Sequence, residues 1–107
     1  MINVYKNEKI VGRVNYNNNL DYLVRTNWQN GRVGRHKGIT KLRNGSFVII
    51  YGTDWQWGVN TAEVVTDEKA LIEILESGKE ELLEEKKFAR LKELYERTMM
   101  SEVEYDE

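Results

Sequence analysis

The spacing of hydrophobic positions changes near residue 66 and divides the chain into two parts. Before this point, short runs rich in Val, Ile, Tyr and Thr are separated by Asn- and Gly-rich turns, a pattern typical of antiparallel strands. The strongest hairpin signal is Asn44-Gly45, which joins two β-prone runs. The unbroken apolar run 47–51 indicates a central strand covered on both faces. The predicted strand segments are 4–5, 10–16, 20–26, 39–42, 47–51 and 59–65.

After the change, apolar residues recur at helical spacing, which predicts two helices. Thr66 is suited to cap the first helix, because its hydroxyl oxygen accepts a hydrogen bond from a backbone N–H of the first turn. Asp67 and Glu68 complement the positive end of the helix dipole there. Gly78 marks a favoured helix end. A second helix is predicted over about 79–99.

The order of strands followed by helices predicts an α+β fold. The expected architecture is a small antiparallel β-sheet or a partly closed SH3-like barrel of about five strands, followed by two C-terminal helices. The length of 107 residues predicts a single domain, 1–107. This domain consists of a β-rich part (1–66), a helical part (67–100) and an acidic tail (101–107) that we expect to be frayed.

The two parts carry opposite charge. Residues 1–66 hold nine Lys and Arg against four acids, a net charge of +5, whereas residues 67–107 hold seven against fourteen, a net charge of −7. Three interpretations remain open: the halves complement each other within the fold, the basic part meets phosphate, or the acidic helices meet a basic partner and mimic nucleic acid.

The chain has no cysteine, so disulfides and thiolate metal sites are excluded. With one histidine as well, we predict no metal site and no cofactor. The first residues lack the apolar core of a secretory signal, and no apolar run is long enough to cross a membrane. These features favour a soluble, cytoplasmic protein.

The densest cationic stretch is 32–38, where glycines flank arginine, histidine and lysine. Backbone amides beside glycine let an anion approach closely while the cations neutralise it. A tryptophan just before the stretch offers a stacking face for an unpaired base. The alternative is a solvated, flexible loop. The candidate binding residues here are Trp28, Arg32, Arg35, His36 and Lys37.

Segment 54–58 contains two tryptophans, Trp55 and Trp57, which point to the same side if the segment is extended. They either pack on the core or form an exposed binding hot spot. All three tryptophans of the chain fall outside the predicted strands, which adds weight to a binding role.

His36 is the one candidate general base, and it would need a carboxylate partner. Asp21, Asp54 and Glu63 are the candidates, and the sequence does not select among them. Pairing with Asp54 would suit a small hydrolase or nuclease. No nucleophile motif supports this alternative.

Taken together, these features favour a non-enzymatic binding protein: a regulator or inhibitor that engages a protein partner acting on nucleic acid. Direct nucleic-acid binding by the basic, aromatic surface is the first alternative, and an enzyme using His36 is the second. A homodimer through the C-terminal helix also remains open. The profile of a small, Asn- and Tyr-rich chain with oppositely charged halves resembles that of phage and mobile-element proteins that inhibit host enzymes, including anti-defence proteins. No motif assigns a residue role from this resemblance.

Overall fold

The computed structural model describes residues 1–21, 28–29, 32–33, 35–53 and 59–103. For residues 28–29, 32–33, 35 and 99–103, only the backbone is described. Within these residues the strands are β1 (Ile2–Lys6), β2 (Lys9–Val14), β3 (Trp28–Gln29), β4 (Arg32–Val33), β5 (Arg35–Lys41), β6 (Phe47–Thr53) and β7 (Thr61–Val65). The α-helices are α1 (Asp67–Ser77) and α2 (Ala89–Val103), joined by 3₁₀ helices at Glu80–Glu84 and Lys86–Phe88.

Five strands form one sheet in the order β2-β1-β7-β6-β5, and β3 pairs with β4 in a separate two-stranded ladder. The predicted α+β arrangement of strands followed by two helices is confirmed. The sheet is open, with β2 and β5 at its edges, so barrel closure is not found. It is also mixed, because β1 and β7 run parallel, whereas an antiparallel sheet was predicted. These two strands are far apart in sequence, so no hairpin turn dictates their relative direction.

One face of the sheet packs against the helices. Phe47, Ile49 and Ile39 lie fully buried on this face. The Phe47 and Phe88 rings stack with their centroids 6.1 Å apart. Arg90 of α2 binds Asp67 at 2.7 Å and the carbonyl oxygen of Gly45 at 2.8 Å, so it ties α2 to α1 and to the β5–β6 turn.

The opposite face carries a second apolar cluster formed by Ile2, Val4, Val14, Val48, Ile50 and Ala62. The chain itself covers this face. The sheet curls so that Gly12 of β2 approaches the side chain of Leu42, and the Tyr16 ring lies against Gly52. Because β6 is buried on both sides, the prediction of a doubly covered central strand at 47–51 is confirmed.

The first helix matches its prediction at both ends. Thr66 Oγ1 accepts a hydrogen bond from Lys69 N at 3.1 Å, and Gly78 adopts a left-handed conformation with φ of 75°. The predicted helix over 79–99 is wrong in its first part, because residues 80–84 and 86–88 form two 3₁₀ helices and the extended residue Glu85 separates them. In a continuous helix, Leu83 and Phe88 would point about 140° apart. The break allows both to be buried.

Segment 17–21 seals the outer edge of β5. The side-chain amide of Asn19 makes the two hydrogen bonds that a neighbouring strand would make. Its Oδ1 accepts a hydrogen bond from Ile39 N at 2.8 Å, and its Nδ2 donates one to Ile39 O at 3.1 Å. Leu20 N donates to Lys37 O, and Asp21 Oδ1 accepts from Lys37 N at 2.8 Å. Leu20 and Asp21 therefore reach β5 without joining a strand, contrary to the strand predicted at 20–26. The rest of that segment, 22–26, lies outside the described residues.

Gly38 makes this seal possible, because a Cβ there would overlap the side-chain oxygen and the backbone carbonyl of Asn17. We therefore expect Gly38→Ala to lower the free energy of unfolding by about 2 kcal/mol, measured by chemical denaturation. Gly12→Ala is the matched control. Its Cβ would meet only the tip of Leu42, at 3.2 Å, and we expect a change below about 1 kcal/mol. Equal losses in the two variants would contradict the tight packing of Asn17 on Gly38.

Candidate functional site

The cationic stretch lies at the end of the sheet where β5 begins and β6 ends, here called the Arg35 end. Strand β3 pairs antiparallel with β4 in the register Trp28–Val33 and Gln29–Arg32, so Trp28 lies in a strand, contrary to its predicted position outside the strands. After one further residue the chain enters β5 at Arg35. The stretch was predicted to be a glycine-flanked loop. That prediction is wrong for 35–38, because β5 begins four residues before its predicted start.

The Arg35 end also receives the second tryptophan-bearing segment. Arg35 pairs with Thr53, the last residue of β6. The chain enters segment 54–58 from Thr53, whose N–H donates to Asn60 Oδ1 at 3.1 Å. Both segments therefore connect to the sheet at adjacent positions. Trp55 and Trp57 themselves lie outside the described residues, as do the side chains of Trp28, Arg32 and Arg35.

His36 contacts Asp21. His36 Nδ1 lies 2.6 Å from Asp21 Oδ2, and the two side chains are 14% and 17% exposed. Of the two candidate carboxylates that are described, Asp21 contacts His36, whereas Glu63 accepts a hydrogen bond from the Tyr51 hydroxyl. Asp54 lies outside the described residues. A carboxylate on Nδ1 fixes the orientation of an imidazole ring, as it does in hydrolase triads. Here the same carboxylate also binds the Lys37 backbone N–H.

Lys37 bridges the sheet to α1 through Glu73. Lys37 Nζ lies 3.0 Å from Glu73 Oε1, and Lys69 Nζ lies 2.9 Å from Glu73 Oε2. The Glu73 side chain is only 7% exposed. Its burial favours a raised pKa, but the hydrogen bonds from Lys69 and Lys37 outweigh burial and hold the pKa below its usual range. Glu73 is a structural residue that sequence reasoning missed.

A signal for Glu73 does exist in the sequence. The buried residues of α1 include Ala70, Ile74 and Ser77. Position 73 lies three residues after the first of these and four before the last, so it falls on the same helix face. A carboxylate at such a position requires a cation from the sheet beneath it.

Tyr51 of β6 contacts both Glu63 and Lys37. Its hydroxyl donates to Glu63 Oε2 at 3.0 Å, and Lys37 Nζ lies 5.8 Å from the centre of its ring. Burial and the hydrogen bond to Glu63 raise the pKa of Tyr51 well above its ordinary value. The phenol therefore remains a neutral donor at physiological pH.

These contacts change the electrostatic interpretation of the cationic stretch. Lys37 is matched by Glu73 and His36 by Asp21, so internal carboxylates compensate both positions. Gly38 does not present an open backbone, because Asn17 covers it.

Among the described residues, no three His, Asp or Glu side chains are grouped so that they could hold a metal ion. No helix in the same set is long and apolar enough to cross a membrane.

The Glu73 bridge predicts a specific pH dependence. A carboxyl group whose pKa is lower in the folded state adds stability that is complete above its ordinary pKa of about 4.3 and is lost as the pH falls through the lower folded value. We expect Glu73→Gln to lower the free energy of unfolding by about 1 kcal/mol at neutral pH, since both lysines are partly exposed and screened. The difference from wild type should shrink as the pH falls below about 4.3.

The control is Glu76→Gln, an exposed glutamate one turn along α1. Its unfolding free energy should stay within about 0.5 kcal/mol of wild type at each pH. Denaturation curves collected across the acid range give both quantities. A Glu73→Gln difference that is absent at neutral pH, or that grows in acid, would contradict the bridge.

Comparison with known proteins yields no relative of this chain: no protein-family model matches it, and neither does any curated protein or any solved structure.

Proposed function

We propose that this protein is a non-enzymatic binding protein, a regulator or inhibitor that engages a protein partner acting on nucleic acid. The observation that carries the proposal is the pairing of Arg35 with Thr53. This pair joins the Trp28-bearing hairpin and the 54–58 segment to the same end of the sheet. The two tryptophan-bearing segments, which are distant in sequence, thus join the sheet at paired residues.

The residue types at the Arg35 end support a binding role. Tryptophan and arginine are the side chains most enriched at the energetic centre of protein interfaces. All three tryptophans of the chain belong to the two segments that attach to the sheet at this end. The contact residues that we propose are Trp28, Arg32, Arg35, Trp55 and Trp57, with His36 and Lys37 holding the strand beneath them.

Two features favour a protein partner over direct binding to nucleic acid. Lys37 has an internal carboxylate partner, so the stretch offers fewer cations to phosphate than its composition implies. The helical layer also exposes glutamates, including Glu76, Glu80 and Glu81. A protein that acts on nucleic acid carries a basic surface, which these carboxylates complement.

The test is affinity capture from cells of the source organism with the intact chain and two charge variants. We expect wild type to retain a protein that acts on nucleic acid, with retention that survives nuclease treatment. Arg35→Ala should reduce retention about tenfold, as expected for an interface anchor. Arg43→Ala is the matched control, because Arg43 is exposed in the turn at the other end of β5. Equal retention by the two variants would contradict the proposed surface.

Direct nucleic-acid binding makes a different prediction in the same experiment. Two phosphate-contacting arginines would give a slope of about −2 for the logarithm of affinity against the logarithm of salt concentration. Retention on heparin at low salt with this slope, together with loss of the protein partner after nuclease treatment, would favour the nucleic-acid alternative. Absence of heparin retention at low salt would exclude it.

A further inference from the structure

The two edge strands of the sheet differ in the hydrogen bonding of their outer backbone groups. The outer edge of β5 is sealed by segment 17–21 through Asn19, Leu20 and Asp21. Strand β2 forms the opposite edge and pairs only with β1. No backbone or side-chain group of the described residues bonds to the outer side of β2. Within the described part of the chain, segment 17–21 satisfies one edge, and the other edge presents unpaired backbone groups.

Exposed apolar side chains lie directly beside the open edge. One cross-strand row on the helix-side face runs from Ile39 and Ile49 through Glu63 to Tyr5 and Ile10. The helices bury the first two completely, but they leave Tyr5 40% and Ile10 58% exposed. The uncovered part of this face borders a groove of about 1000 Å³ between the β1–β2 turn and the start of α1. Open edges with apolar side chains are the usual templates for strand addition.

The charges on β2 indicate what kind of strand fits. The strand carries two cations, Lys9 and Arg13, and no acid. Pairing of two copies of β2 would bring four positive charges to one seam, which disfavours a second copy as the occupant. An incoming strand with acidic side chains would neutralise the same positions.

The register between β1 and β2 further restricts the sequence of a strand that could pair with β2. Tyr5 pairs with Ile10 and Asn3 with Arg13, and Val11 is the extra residue of a bulge between these pairs. Ile10 and Arg13 therefore lie on the same face of the sheet, opposite alternate residues of β1. A strand added to β2 would place residues i and i+2 opposite them.

We propose that β2 is a docking strand for an extended segment of a partner protein, in which an apolar and an acidic residue lie two positions apart. The segment adds a sixth strand to the sheet. Its apolar side chain packs on Ile10 and Tyr5, and its carboxylate pairs with Arg13. The bulge and Lys9 limit pairing with uncharged strands, so the acidic residue supplies specificity. The docking strand is distinct from the segments at the Arg35 end, which attach to β5 and β6.

The experiment titrates the isotopically labelled full chain with a short synthetic peptide and follows the backbone amides by NMR. In the probe peptide, every second residue is threonine. The residues between the threonines, which all lie on one face of the strand, are valine and glutamate in turn. A matched peptide carries lysine in place of glutamate. We expect the largest shift changes at residues 9–14, slower hydrogen exchange of β2 amides on binding, and weaker binding of the lysine peptide.

Charge reversal provides the decisive variant. Arg13→Glu should weaken binding of the glutamate peptide about tenfold and strengthen binding of the lysine peptide, since like charges replace opposite ones across the pair. Arg43→Glu, at the turn between β5 and β6, should bind as wild type does. Equal binding of both peptides to Arg13→Glu would overturn the proposal, as would shift changes confined to β5. Concentration-dependent shifts of residues 9–14 without peptide would show that a second copy occupies the edge and would also overturn it.

Discussion

The architecture depends on how the outer edge of β5 satisfies its backbone hydrogen bonds. Lys37 and Ile39 point their N–H groups away from β6, and these donors meet the carboxylate of Asp21 and the amide of Asn19. Buried backbone groups without partners are costly, so this edge requires a cover. The cover in turn requires Gly38, against which Asn17 packs. The same contacts bring Asp21 to His36, so one short segment fixes both the edge and the only histidine.

The charge distribution at the start of β5 depends on the same part of the fold. The contrast between a basic strand region and acidic helices suggests two faces of opposite charge. In the structure, part of that contrast is used internally, because Glu73 of α1 draws Lys37 from the sheet and Asp21 pairs with His36. The remaining arginines of the stretch lie on the β3–β4 hairpin and at the start of β5. A binding surface at the Arg35 end would therefore depend on few cations, which suits a protein partner better than a phosphate backbone.

Local signals predicted local structure well. The hairpin around Asn44-Gly45 and the capping of α1 by Thr66 depend on contacts between residues close in sequence, and both are confirmed. Thr66, Asp67 and Gly78 act through the backbone conformation of a single turn, which is why their residue types are informative.

Features that depend on distant contacts were not predictable in this way. The parallel pairing of β1 with β7 joins strands separated by most of the sheet region, and no turn residue encodes it. The early start of β5 depends on segment 17–21, and the interrupted second helix depends on burial of both Leu83 and Phe88. The partner of His36 also required the fold, since nothing in sequence spacing separates Asp21 from the other carboxylates. The tryptophan surface remains a prediction.

Hydrogen exchange of individual amides tests the sealing of β5 most directly. If side chains of segment 17–21 complete this edge, the amides of Lys37 and Ile39 should be protected to within about tenfold of those in β6. Outward amides of β2 should exchange at rates close to those of an exposed strand. Rapid exchange of Lys37 and Ile39, equal to that of β2, would contradict the sealed edge and the contrast between the two edges.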